Sequence, residues 1–411
     1  MLFASSTPAP AWASAPVIDG NPFIRYRTML DSYRAGLARG WSDGDFVALV
    51  QRLDDAVAGV EGRGFVVTPL TKEPALGAAV GLAGSRLWVK DDTGNVAGSH
   101  KGRHLFGLLL HRTVAHADHD RGRELAIASC GNAALAAAVV ARAVEQPLRV
   151  FIPTDAAPAV VARLIELGAS TVECPRVPGE RGDPCYIRFR AAVAAGAVPF
   201  SCQGTDAPET IDGGRTIALE LAEQLCDAHR GRVHLDRLFV QVGGGALAAA
   251  CARGMADAVR IRWLDALPRL HAVQTEGAAP LARAWRLLRE RMGAGGERAS
   301  VDDWMAVAAA QADELMWPWE ETPHSIAHGI VDDVTYDWLA VVDGMFRSGG
   351  SPSTVSEEEL MRANDLARRH TTVDVDHTGT AGLAGLLHFN AASDTPRSDQ
   401  TIAVLFTGIR R

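Results

Sequence analysis

Short apolar runs alternate with alanine-rich stretches along most of this chain. RLWVK (86–90), ELAIAS (124–129), LRVFIP (148–153), STVEC (170–174), VPFSC (198–202), RLFVQV (237–242), RLHAVQT (269–275) and TIAVLF (401–406) are each strand-sized and largely apolar. Strands buried on both faces and spaced by helices form parallel sheets, so the pattern predicts an α/β fold. Upstream, FIRYRTMLDSYRAGLA (23–38) and DGDFVALVQRLDDAVAGV (43–60) carry helical periodicity, and the second opens on acids that suit a helix N-terminus. Residues 1–62 therefore read as an N-terminal helical extension packed on the larger unit. The Gly-rich, charged stretch 288–303 and the loop RVPGERGDPC (176–185) read as surface connections.

Composition narrows the partners. With 47% apolar and 22% charged residues, the 411-residue chain has the balance of a soluble globular protein. A net charge of −8 without a basic run leaves no electrostatic footprint for nucleic acid. No run of eighteen apolar residues suggests a membrane span, and MLFASSTPAPAWASAP (1–16), lacking a basic start and broken by Pro8 and Pro10, reads as a loose tail. Six cysteines without CxxC spacing read as reduced thiols of a cytoplasmic protein, with no metal site among them.

Four segments carry candidate chemistry. Of 41 lysines and arginines only Lys72, Lys90 and Lys101 are lysine, and Lys101 stands in GSHKGRH between a Gly-containing turn and an apolar helix. A primary amine condenses with an aldehyde where a guanidinium cannot, so a chain that otherwise prefers Arg would keep Lys there. Chance placement of three lysines is the competing reading. AIASCGNAALAAAVVAR (126–142) reads strand, small-residue turn, helix, with Asn132 offering an amide. LFVQVGGGALAAACARG (238–254) repeats that pattern with three glycines whose N–H groups suit a phosphate. A dinucleotide reading of this turn fares poorly, because Ala248 stands where G-x-G-x-x-G needs its last glycine. Finally Thr407 and Gly408 follow the strand TIAVLF, where strand ends of an open α/β sheet form ligand crevices.

Taken in order, these segments resemble the fold type II (tryptophan synthase β-like) pyridoxal phosphate enzymes, especially threonine synthase and threonine dehydratase. VTPLTKEPALGAAVG, VKDDTGNVAGSHKGR, SCGNAALAAA, ETIDGGRTIALELAEQL, VQTEGAAPLARAW, DHTGTAGLAGLL and LFTG carry the likeness from about residue 65 onward. The resemblance implies two α/β domains with the active site between them, a large one of 63–102 with 206–411 and a small one of 103–205. It also implies pyridoxal 5'-phosphate as cofactor and a homodimer. Lys101 would form the Schiff base and shuttle the α-proton, Asn132 would bond the phenolic oxygen, Gly243, Gly244 and Gly245 the phosphate, and Thr407 would face the pyridine nitrogen. The Ser129–Ala133 turn, with Ser129, Gly131 and Ala133, and also Ser99, would meet the amino-acid substrate.

The implied activity is a lyase acting by elimination on a small hydroxy or O-activated L-amino acid. A cysteine synthase-type replacement, a non-catalytic ligand-binding relative and a nicotinamide-binding enzyme are the alternatives. His100 departs from the aromatic that threonine synthase usually has there and resembles the His-Lys pair of tryptophan synthase β, which would put it near the cofactor phosphate; Gly102 replaces the usual Asp. Arg103 and Arg215 are candidate partners of a phosphorylated substrate. His111, His116 and His119 read as a solvated helix end, and Asp374, Asp376 and His377 as helix-capping groups.

Overall fold

The computed structural model describes residues 20–82, 86–120, 122–294, 300–391 and 400–411, so the N-terminal tail lies outside the described residues. Ten strands build two sheets. β1 (Leu70–Lys72), β2 (Leu87–Asp91), β7 (Arg237–Gln241), β8 (Arg269–Thr275), β9 (Ser351–Val355) and β10 (Ile402–Phe406) form one, in the order β1-β2-β10-β7-β8-β9. β3 (Leu125–Ala128), β4 (Leu148–Ile152), β5 (Ser170–Glu173) and β6 (Val198–Pro199) form the other, in the order β5-β4-β3-β6. All neighbours are parallel except β1 against β2. Parallel pairing explains the uninterrupted apolar runs, since β7 and β10 are buried at every position.

The sequence pattern passed over β9, SPSTV, for a physical reason. It is an edge strand carrying Pro352 and half-buried polar residues, which the centre of a sheet would reject. The surface connection expected over 288–303 is largely helical: Pro280–Ala294 runs into it, and Ser300 caps Val301–Ala310 through a capping box with Asp303. The loop expected over 176–185 lies between β5 and the helix Pro184–Ala194.

The N-terminal helices divide between the two units instead of resting on the larger. Phe46, Leu49, Val50, Leu53 and Val57 of the helix Asp43–Glu61 join a core with Ala134, Ala137 and Val140 of the helix Asn132–Ala143 and with Leu125 and Ile127 of β3. Tyr26 and Met29 pack instead on Leu219 of the helix Thr210–Ala228. Such a layer adds apolar contact to the smaller sheet's core and to the helix Thr210–Ala228 at once.

The helix Lys101–Asp120 joins the units. It crosses the helix Thr210–Ala228 so closely that a Cβ on Gly107 would lie 2.3 Å from the Gly213 Cα. One turn away, a Cβ on Gly214 would lie 2.0 Å from His104 Cε1, so glycine there admits the imidazole. This crossing sets the direction of the helix whose first residue is Lys101.

Candidate active site

Lys101 opens its helix after a loop that is held on both sides. Asp91 Oδ1 accepts from the Thr93 N–H at 2.9 Å, Asp92 Oδ2 accepts from Asn95 Nδ2 at 3.1 Å, and Arg103 reaches back to Asp92 at 2.8 Å. On the other side the chain after β10 zips onto it. His100 N donates to the Thr407 carbonyl at 3.3 Å, Ser99 bridges Gly408, and Ile409 N donates to the Gly98 carbonyl at 2.9 Å. Ser99 is fully buried, and its hydroxyl accepts from the Lys101 N–H at 3.4 Å.

Two histidines back the lysine. His100 and His104 meet edge to face at 5.6 Å between centroids, both buried. Each has Nδ1 at a carbonyl, Thr407 O at 3.4 Å for His100 and Thr210 O at 3.0 Å for His104, so Nδ1 carries the proton. Both Nε2 atoms are then buried acceptors without a partner. Burial, with the Lys101 charge beside them, pushes His104 down to about 3 and His100 well below its ordinary value, so both are neutral.

The turn after β3 presents free backbone. The helix Asn132–Ala143 has no side-chain N-cap, so its first N–H groups stay open to an anion. Gly131 N donates to Ser129 Oγ at 3.4 Å, and Ala133 lies in the first turn. Asn132 Nδ2 stands 3.1 Å from where a Gly408 Cβ would be, which brings the turn against the end of β10. Arg411 donates to Asn132 Oδ1 and, at 2.6 Å, to the Ala97 carbonyl.

The glycine turn forms a second backbone cradle. Gly245, at φ +100°, caps the helix Ala246–Arg260 without a side-chain bond. A Cβ on Gly243 would fall 2.2 Å from Asp332 Oδ2 and 2.9 Å from Ile330 Cα, so only glycine fits. Burial pushes the Asp332 carboxyl up to about 6 against the pull of Lys101. Asp337 accepts from Gly204 N at 3.0 Å and is pushed up to about 7, again chiefly by burial. The Lys101 charge acts on His100, His104, Cys202, Asp332 and Asp337, and Asp332 and Asp337 flank the glycine turn.

Thr407 is 1% exposed and its Oγ1 accepts from Gln241 Nε2. Gln241, His104, Asp332 and Arg411 escaped the sequence reading, although Gln241 stands in the glycine segment VQVGGG: a polar residue in an otherwise apolar buried strand was the available signal. Arg103 and Arg215 leave the set of substrate contacts. Arg103 is fully buried against Asp92 and Glu220, and Arg215 is buried against Asp212 and Asp257, so both charges are already matched by carboxylates inside the fold. Asp376 caps the next helix through Gly379 N at 2.5 Å, whereas His111 lies 3.9 Å from Glu209; the His116 and His119 side chains lie outside the described residues.

An amine able to condense with an aldehyde, beside a backbone cradle for an anion, suits a cofactor that is both aldehyde and phosphate ester. The uncapped glycine turn and the unpartnered His100 Nε2 fit such a group. Residues 63–408 match the family described as Pyridoxal-phosphate dependent enzyme, and the chain belongs to it. Its cofactor is pyridoxal 5'-phosphate, and its fold is the type II fold of these enzymes.

The chain is 24% identical over 343 residues to the threonine synthase of Methanosarcina acetivorans, covering 83% of this chain and 74% of that protein. It is 27% identical over 325 residues to the threonine synthase of Mycobacterium bovis, covering 78% and 77%. In fold it is similar to the threonine deaminase of T.th. (TM-score 0.62, 24% identity, 88% of this chain and 98% of that one). The maize serine racemase is as similar in fold (TM-score 0.62, 20% identity, 87% and 92%). Among the described residues, no helix is long and apolar enough to cross a membrane.

Proposed function

We propose that this protein is a pyridoxal phosphate-dependent lyase that eliminates the β-substituent of a small hydroxy or O-activated L-amino acid. The observation that carries the reading is the hydroxyl of Thr407 at the end of β10, with no carboxylate bonded to it among the described residues, beside the loop of Lys101. The cofactor supplies an electron sink for the bond broken at Cα. A hydroxyl partner at the ring nitrogen leaves that sink weaker than an acidic partner would, which favours prompt loss of a β-leaving group over a long-lived carbanion.

The chain's own residues supply the rest. Lys101 takes the α-proton as general base, and the open N–H groups of Asn132 and Ala133 hold the substrate carboxylate. Asn132 bonds the phenolic oxygen, the turn at Gly243, Gly244 and Gly245 holds the phosphate, and neutral His100 faces it with Nε2 as an acceptor for a phosphate O–H. The smaller sheet, with Asn132 at its turn, is the part that closes over substrate. Because Arg103 and Arg215 are spent on internal carboxylates, serine and threonine lead phosphohomoserine as substrates. We assign the protein to the cytoplasm and to a homodimer on the same likeness to its relatives.

The test is a spectrum followed by a substrate panel. The protein loaded with cofactor should absorb at the visible edge, and Lys101→Ala should abolish that band and lower turnover by at least ~10²-fold, the usual contribution of a general base. Serine or threonine should yield a keto acid. Cysteine from O-acetylserine and sulfide would instead select the replacement reaction, and a colourless protein that binds a nicotinamide cofactor would refute the reading.

A further inference from the structure

We propose that Gln241 is a positioning residue that turns the Thr407 hydroxyl into a hydrogen-bond donor toward the cofactor's ring nitrogen and so keeps that nitrogen unprotonated. The inference rests on the placement of Thr407 proposed above. Gln241 ends β7 and Thr407 follows β10, its neighbour in the sheet, so the two side chains meet across adjacent strands. Gln241 is 4% exposed, and its Nε2 faces three acceptors: Thr407 Oγ1, the Gly379 carbonyl at 3.2 Å and the Leu405 carbonyl at 3.3 Å.

That setting leaves no choice of amide orientation. Turned over, the amide would press its oxygen against two carbonyl oxygens with no proton between them, a repulsive contact in a buried place. Gln241 accepts this geometry although its own Oε1 then has no partner. With an N–H arriving at Oγ1, the single Thr407 proton is released to point elsewhere, and among the described residues none accepts it. A ring nitrogen placed there meets a donor, and a nitrogen that accepts a hydrogen bond has its lone pair engaged and stays unprotonated.

Gln241→Met tests this, because it keeps the length and apolar body of the side chain and removes the donors. With no N–H arriving at Oγ1, the Thr407 proton is free to turn toward the carbonyls that Gln241 faced, and the hydroxyl then offers a lone pair to the ring nitrogen. The cofactor, labelled with 15N at the ring, is bound to the protein and its nitrogen signal followed by NMR as pH is varied. The parent should show an unprotonated nitrogen near neutral pH, and Gln241→Met should move the signal toward the protonated form. In a Thr407→Ala background the same substitution should move nothing, since the two act as one unit.

A parent nitrogen that is already protonated overturns the proposal without any variant. So does a Gln241→Met signal that matches the parent. If Thr407→Ala alone leaves the signal where it was, the placement of Thr407 falls and this inference with it. If the parent forms no visible band at all, it is the cofactor reading of the site that fails.

Discussion

Replacing Glu220 by glutamine should destabilise the protein severely while leaving its shape intact. Glu220 is fully buried and accepts from Lys90 Nζ at 2.6 Å, Arg103 Nη2 at 3.0 Å, Thr68 N at 3.0 Å and Thr68 Oγ1 at 3.2 Å. Asp92 faces Arg103 from the other side at 2.8 Å. Two cations and two carboxylates balance in a cluster sealed from water, and glutamine leaves one positive charge uncompensated. Its amide hydrogens would also face ammonium and guanidinium hydrogens. Removing one partner of a buried pair costs about 3–5 kcal/mol.

A chain of this size loses about 1.2 °C of melting temperature per kcal/mol, so the melting temperature followed by circular dichroism should drop by about 4–6 °C. Glu290→Gln, at the exposed pair with Arg286 (61% and 58% side-chain exposure), is the control and should shift by ~1 °C or less. A Glu220→Gln protein melting within about 2 °C of the parent would show that the cluster is not a net-neutral buried unit and refute the reasoning. Because Arg103 lies two residues after Lys101, the variant should also bind the cofactor more weakly.

Other outcomes follow from the same packing. Gly107→Ala should cost about 1–3 kcal/mol by overpacking the crossing at Gly213, read as a lower urea midpoint, and should tilt the lysine helix enough to weaken the visible band of the loaded protein. His104 is held well below its unfolded value, at about 3, so its stability contribution is complete above about pH 6.5 and is lost as pH falls. Below that pH each such histidine removes about 1.4 kcal/mol per pH unit. Asp332 and Asp337, raised to about 6 and about 7, act with the opposite sign: they disfavour the fold increasingly as pH rises from about 4. Both are present in parent and variant, so the difference between them isolates the histidine. His104→Gln should show a flatter fall in urea midpoint between pH 7 and 5, and parallel curves would contradict the burial argument.

Much of the site was legible because each piece is local. Lys101 in its turn, the glycines before Ala246 and the small-residue turn before Asn132 are strand-to-helix junctions, and a junction's chemistry is written in consecutive residues. The lysine count was a weaker guide than it looked. It marked Lys101, but it marked Lys90 equally, and Lys90 was kept for a different reason: a compact ammonium reaches Glu220, the Thr68 carbonyl and Gln224 at 2.6, 2.6 and 2.9 Å inside the core. The arginines misled for the complementary reason. Arg103 and Arg215 sit in motifs near the site, yet each also takes a carboxylate from far along the chain, Glu220 and Asp257, beside the nearer Asp92 and Asp212.

The sequence by itself determined the parallel α/β class and the family, and it marked Lys101 and the two strand-to-helix turns as candidates, because hydrophobic period and junction chemistry depend on neighbours in the chain. Only the tertiary structure decided that Gln241 meets Thr407, how Gly107 and Gly213 let two helices touch, and that the N-terminal helices divide between the core under β3 and the helix Thr210–Ala228. Each of these depends on residues brought together from distant parts of the chain, where steric fit and the pairing of buried donors and acceptors select one arrangement.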